Sequence, residues 1–291
     1  MYDSPIITFV LIVVTCVFSY QGFKSFEFSR KYIFNPEAIL AGKEYHRVVT
    51  SAFLHADWRH LIFNMVSLYF FGSQLELGLG KAQFLLIYFG AIVGGSLLSL
   101  YVHRHHHYLA YGASGGVCGA IFGVILLNPW ASIASFPVPI PIPGWLYAIG
   151  YLLYSFFGMK EHRGDVGHDA HLGGAIIGFL ITAGLNPRAV QAHPLMFLVV
   201  LVGAILLLLY LWWNPLFLPI SNLFGPIRWK RDSNAPTPRK RKTLQVDAIL
   251  DKIAKSGIQS LSDEEKRALG DASSKYQRQA DSKKPQSGLA I

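Results

Sequence analysis

Ser114 stands in the run Gly112-Ala113-Ser114-Gly115-Gly116 at the head of one apolar stretch, and His171 stands at the head of another later in the chain. A serine hydroxyl is a weak nucleophile until a base takes its proton. A neutral imidazole can take that proton and later return it to a leaving amine. Attack on a carbonyl also leaves negative charge on oxygen, which needs hydrogen-bond donors placed in advance. His60 can donate from its ring, Asn64 from its amide one helical turn further on, and Ser114 from its own backbone N–H. The only acidic residue close to His171 in its stretch is Asp169, so the pattern reads as a Ser114–His171 dyad rather than a triad. Taken singly, a serine among glycines is ordinarily a packing residue, and a histidine at a helix start is ordinarily a cap. The reading rests on four chemically matched groups together, because polar groups inside membrane segments seldom lack a functional reason.

The elements that must position these groups follow from composition. Of 291 residues, 52% are apolar and only 15% charged, against about 25% charged in a soluble chain. With a mean hydropathy of +0.35, the chain reads as an all-α membrane protein, since backbone in lipid must satisfy its own hydrogen bonds. Seven apolar stretches can be marked, at 5–21, 60–76, 82–102, 115–128, 145–158, 171–186 and 195–213. Several fall short of the roughly 20 residues of a full span, which suggests helices that begin below the membrane surface under cover of other protein. Residues 5–20 read as a retained first span, without a basic leader or small-residue cleavage site. The loop 22–59 mixes aromatics with charges and reads as folded and half-immersed. The loop 129–144 holds five prolines and cannot be helical throughout.

If the seven stretches are spans, the second, fourth and sixth must start on the same side of the membrane. His60, Asn64, Ser114 and His171 then lie near one face by counting alone. Gly115, Gly119 and Gly123 recur every four residues in the fourth stretch, as do Gly174 and Gly178 in the sixth. Small residues at this spacing let membrane helices approach closely, which would bring Ser114 towards His171.

Competing motifs fail on context. Gly112-x-Ser114-x-Gly116 matches a soluble hydrolase nucleophile elbow, which needs a strand before the serine; a polar loop precedes it here. His168 and His171 lack the His-Glu-x-x-His of a zinc protease, and Asp165 lacks the neighbouring pattern and partner of a membrane aspartyl protease. The cluster His103, His105, His106 and His107 reads as a solvated loop, so no metal and no cofactor is expected. Cys16 and Cys118 have no metal-ligand spacing and are not read as a disulfide. Glu76 reads as a structural hydrogen-bond partner. No nucleic-acid motif occurs.

Gly112-Ala113-Ser114-Gly115, Ala170-His171-Leu172-Gly173-Gly174 with Gly178, and His60-Leu61-Ile62-Phe63-Asn64 together resemble the rhomboid family of intramembrane serine proteases, in order and in span placement. The resemblance covers roughly residues 1–190. It implies a helical bundle of six core transmembrane helices plus one C-terminal span. It also implies Ser114 as nucleophile, His171 as general base, and His60, Asn64 and the Ser114 amide as the oxyanion site. The substrates implied are transmembrane segments of other proteins, and the compartment is the bacterial inner (cell) membrane. Two departures stand out. His46-Arg47 replaces the family's Trp-Arg, and Cys118 stands where many members carry an aromatic beside the catalytic histidine. Positive-inside logic would put loop 22–59, with six Lys/Arg, in the cytoplasm; the resemblance implies the outer side and is followed here. A non-catalytic relative that binds transmembrane segments is the alternative, opposed by the intact Ser114 and His171. A proton-relaying transporter is a third reading.

Beyond the core, residues 191–226 read as the seventh span and its interfacial exit, 227–243 as a basic linker, 244–271 as a small helical hairpin and 272–291 as a disordered tail. The hairpin rests on Leu244, Ile249, Leu250 and Ile253 and on the capping box opened by Ser262. Residues 226–291 carry 15 Lys/Arg against 8 Asp/Glu, while residues 1–225 carry 11 against 9. Basic charge placed just after a membrane helix is suited to anionic lipid.

Overall fold

The computed structural model describes residues 4–105, 107–135, 138–161, 167–213 and Ser262. The helical hairpin, linker and tail expected after residue 226 lie outside the described residues, apart from Ser262. The elements run in chain order. Helices α1 (Ile6–Lys24), α2 (Phe26–Tyr32), α3 (Pro36–Leu40) and α4 (Arg47–Thr50) come first. A 3₁₀ turn (Ser51–Phe53) leads to α5 (Trp58–Ser67), a π-helical turn (Leu68–Gly72) and α6 (Ser73–Leu79). Then come α7 (Lys81–His103), α8 (Ser114–Leu127), strands β1 (Ser132–Ser135) and β2 (Val138–Pro143), α9 (Gly144–Glu161), α10 (His168–Leu185), α11 (Pro187–Ala192) and α12 (Pro194–Trp213). Each of the seven apolar stretches falls on one of these helices, the second on the continuous run α5–α6.

The antiparallel pair β1–β2 departs from an all-helical reading. Its register sets Ser132 opposite Pro143 and Ile133 opposite Ile142. Alternate prolines in β2 remove every second N–H donor, which an edge strand tolerates and a helix does not. Loop 22–59 is folded, as α2 to α4 and the 3₁₀ turn. Arg47, 7% exposed, ties it together: its Nη1 donates to the carbonyls of Arg30 and Ile33, each at 2.8 Å, and its Nε to Glu44 at 2.7 Å. His46 lies beside it, with Nε2 3.3 Å from the Lys31 carbonyl.

Helices α1, α7 and α12 are long and apolar enough to cross a membrane. Helix α8 has 14 residues and rises about 21 Å at 1.5 Å per residue, short of a hydrocarbon layer of about 30 Å. Every residue from Gly115 to Leu126 is buried, so its surroundings are other helices. Glycine makes this possible. A Cβ at Gly174 would run into the backbone of Gly115, and one at Gly178 into the backbone of Gly119. The two glycine rows do face one another. Helix α7 joins them: a Cβ at Gly95 would strike the Ala170 carbonyl, and one at Gly119 would strike Ala91. At the periphery, α12 leans on Phe179 through Phe197, ring centroids 5.6 Å apart, and on Phe156 through Tyr210.

Glu76 is a structural partner, as read. Its buried carboxylate accepts from the N–H of Ile7 and Thr8 and from the Thr8 hydroxyl, at 2.8, 2.7 and 2.8 Å. It satisfies donors that a helix start leaves open and sets negative charge at the positive end of α1.

Candidate functional site

Ser114 is the first residue of α8, and the chain reaches it through a held backbone. Ala110 pairs with Phe34 in both directions, at 2.9 and 3.2 Å, and the Gly112 N–H donates to the Ser51 carbonyl at 3.1 Å. Gly112 has φ +133°, a conformation that a side chain would strain. A Cβ there would also lie 2.9 Å from His60 Nε2 and 3.6 Å from Ser114 Oγ. Glycine at 112 therefore keeps open the space between the His60 ring and the Ser114 hydroxyl.

His171 lies one turn inside α10, which begins at His168 rather than at His171. The close approach of α8 and α10 at Gly115 and Gly174 sets the two side chains against each other, with His171 Nε2 2.6 Å from Ser114 Oγ. On α5, the Asp57 carboxylate caps the helix by accepting from the His60 N–H at 2.9 Å; that bond holds the Asp57 pKa below the usual carboxylate value. Asn64, buried one turn on, donates from Nδ2 to the His60 carbonyl at 3.0 Å. His60, Asn64, Ser114 and His171 all line one cavity of about 790 Å³, with Gly112, Ser96 and Tyr108 also on its wall. All four polar residues singled out from sequence are brought to the same place.

An aromatic does reach His171, from an unexpected helix. The ring of Tyr151, on α9, lies 6.5 Å from the His171 ring at an interplanar angle of 27°. Cys118 Sγ is 2.9 Å from the Tyr151 hydroxyl, and Tyr147 stacks on the Tyr151 ring at 5.6 Å and 12°. Cys118 thus fixes an aromatic in place of being one. Both cysteines are free thiols.

Asp169 is engaged by His103. Its buried carboxylate lies 3.2 Å from His103 Nε2, and His103 is stacked on Tyr108 at 3.5 Å and 5°. Burial, then the nearby Asp169, raises the Tyr108 phenol well above its ordinary value. This cluster ties the first turn of α10 to the end of α7. His105 accepts from Arg104 Nε at 3.0 Å; His106 lies outside the described residues. Among the described residues no three His, Cys, Asp or Glu side chains gather as a metal site would need.

One residue was missed altogether. His55, 6% exposed, bonds to both Ser19 and Ala113. Its apolar neighbours Phe53 and Leu54 are a signal of burial, but its partners lie far along the chain and no local pattern names them.

Fold and site define a helical, integral membrane protein with a serine–histidine contact in a polar cavity. A sequence model of the Rhomboid domain matches residues 42–188, just over half of the chain. The chain belongs to the rhomboid family. It is 32% identical over 161 residues to "Rhomboid protein 1, mitochondrial" of Saccharomyces cerevisiae, covering 54% of this chain and 46% of that one. It is 29% identical over 153 residues to "Rhomboid protease GluP" of Bacillus subtilis, covering 52% and 28%. It is 28% identical over 189 residues to "Rhomboid protease AarA" of Providencia stuartii, covering 58% and 66%. The chain spans about half or less of the length of the first two. Because these relatives include a mitochondrial protein as well as bacterial ones, the expected bacterial inner membrane is not supported, whereas the integral membrane placement is. A second sequence model, described only as a family of unknown function, matches residues 237–275.

Proposed function

We propose that this chain is an intramembrane serine endopeptidase that cleaves transmembrane segments of other membrane proteins. The observation that carries the reading is the 2.6 Å approach of Ser114 Oγ to His171 Nε2 inside a cavity that also exposes His60 and Asn64. The Ser114 hydroxyl donates to His171 Nε2. As Oγ attacks the scissile carbonyl carbon, its proton passes to the imidazole and the carbonyl oxygen becomes an oxyanion. His60, the second Asn64 amide proton and the Ser114 backbone N–H are the donors for that charge. The imidazolium then protonates the leaving amine, which departs as the carbonyl reforms on an acyl-Ser114 ester. A water entering through the cavity attacks the ester as it loses a proton to His171; the imidazolium returns that proton to Ser114 Oγ as the ester C–O bond breaks, releasing the new carboxyl terminus.

The same reading takes residues 1–190 as a six-helix protease core and α12 as an added seventh span. The basic segment after residue 226 would meet anionic lipid or solvent and take no part in the chemistry.

The test is cleavage of a model transmembrane substrate in proteoliposomes, with labelling by a fluorophosphonate. Wild type should cleave and label at Ser114, while Ser114→Ala and His171→Ala should do neither and still insert. Removing a donor, as in Asn64→Ala, should slow cleavage roughly a hundred- to thousandfold. Undiminished cleavage by both Ser114→Ala and His171→Ala would sink the proposal. A wild type that binds transmembrane segments but neither cleaves nor labels would favour a non-catalytic binding protein.

A further inference from the structure

Four groups beside the cavity form a chain whose proton positions can be counted. Ser19 Oγ on α1 lies 2.9 Å from the Phe53 carbonyl and 2.9 Å from His55 Nδ1. A carbonyl only accepts, and a hydroxyl has one proton. The Ser19 proton therefore goes to Phe53, and Ser19 Oγ accepts from His55 Nδ1–H. With its proton on Nδ1, a neutral His55 presents a lone pair at Nε2. There the N–H of Ala113 donates, at 3.4 Å. Three bonds thus run in one sense, from Ala113 through His55 and Ser19 to Phe53.

The far end of this chain is the residue before Ser114. Helix α8 has no side-chain cap from Ala113, which sits at its N-cap position, so the donors of its first turn need acceptors from elsewhere. With the Gly112 N–H already on Ser51, His55 holds the next donor and fixes the peptide that leads into Ser114. The His55 ring also packs edge-on against His60, centroids 4.9 Å apart at 72°. It does not line the cavity. Burial, and then His60, push the His55 pKa down to about 3, which keeps the imidazole neutral and Nε2 able to accept.

We infer that His55 is a positioning residue: through Ser19 on one side and Ala113 on the other, it aims the Ser114 hydroxyl at His171 and backs the His60 ring. The inference rests on the protease reading above. His55→Leu removes both nitrogens at similar volume, and His55→Gln returns an acceptor near Nε2. Ser19→Ala leaves the ring but frees its tautomer, so that an N–H at Nε2 can oppose Ala113. Cleavage of a transmembrane substrate in proteoliposomes, followed as kcat and KM, and the rate of fluorophosphonate labelling are the readouts, with thermal melting as the check on folding. We expect His55→Leu to lower kcat and the labelling rate at least tenfold with KM within about twofold, since lost orientation acts on the chemical step. His55→Gln should recover most of that loss, and Ser19→Ala should fall between. An unchanged kcat in His55→Leu, a rise in KM alone, or a His55→Gln as slow as His55→Leu overturns the inference while a cleaving wild type keeps the protease reading. If His55→Leu fails to fold, Ser19→Ala decides, and an unaltered kcat there overturns the inference. A wild type that neither cleaves nor labels overturns both.

Discussion

Helix α8 is fixed in two different ways along its length. From Gly115 onward it is held by shape: its glycine row meets Gly174 and Gly178 backbone to backbone, and α7 closes over Gly116 and Gly119. At and before Ser114 it is held by polar direction: Ala110 on Phe34, Gly112 on Ser51, Ala113 on His55. The seam sets how far Ser114 stands from His171, and glycine is suited to that because van der Waals contact between backbones varies steeply with separation. The polar latches set which way the peptide and rings point, and hydrogen bonds are suited to that because they weaken steeply off axis. A nucleophile needs both, and each half can be broken separately.

The seam should give the larger effect. Gly174→Val puts a branched side chain where the Gly115 backbone now lies, and overpacking of a filled interior costs about 1–3 kcal/mol, occasionally more. Thermal melting in detergent should fall accordingly, and fluorophosphonate labelling should be lost with it. Gly184→Ala, later in the same helix with open space beside it, is the matched control. It should be neutral or stabilising by up to about 1 kcal/mol, because alanine is the better helix former. Equal losses from both would show that any added side chain destabilises α10 and that the close approach to α8 is not the cause.

The seam was also the more legible half. Hydropathy and four-residue spacing are local properties, so the apolar stretches and the facing glycine rows could be read from residues near one another in sequence. Ser114, His171, His60 and Asn64 were legible because each opens or enters such a stretch and span parity needs only a count. The latches were not. Ala113 and His55 are joined only by the folded loop 22–59, and nothing near His55 marks Ser19 or Ala113 as its partner. Tyr151 was hidden for the same reason: the aromatic near His171 comes from α9, and the sequence of α8 shows only that Cys118 is not one. The true start of α10 at His168 and the π-helical turn at Leu68–Gly72 also escaped, since a polar first turn and one extra residue per turn leave the apolar pattern intact.

The latches should answer to pH where the seam does not. His55 is held at about 3 in the fold against 6.5 in a free chain. Below about 6.5 the unfolded chain therefore binds a proton that the folded one refuses. The stability is fully present above that pH and is lost as pH falls towards 3. Between pH 7 and pH 5 the His55 contribution is about 2 kcal/mol of destabilisation. Melting measured at both values should show that slope in wild type and Gly184→Ala alike, and a slope smaller by this amount in His55→Leu. An identical slope in His55→Leu would mean that His55 is solvated or protonated in the fold.

The smallest effect tests where latch and seam meet. Cys118 lies on α8 among the buried seam residues, yet its sulfur is 2.9 Å from the Tyr151 hydroxyl, and Tyr151 is the ring beside His171. Tyr151→Phe keeps the ring and removes the hydroxyl, so it should cost about 1 kcal/mol of stability and leave kcat nearly unchanged. Tyr151→Leu removes the ring as well and should lower kcat by the freedom it gives the imidazole. A double-mutant cycle of Tyr151→Phe with Cys118→Ala then isolates the sulfur–hydroxyl term. A coupling energy near zero would assign the placement of Tyr151 to its ring contacts with Tyr147 and Phe122, and α9 would then hold its aromatic by shape, as the seam does, with no polar latch to α8.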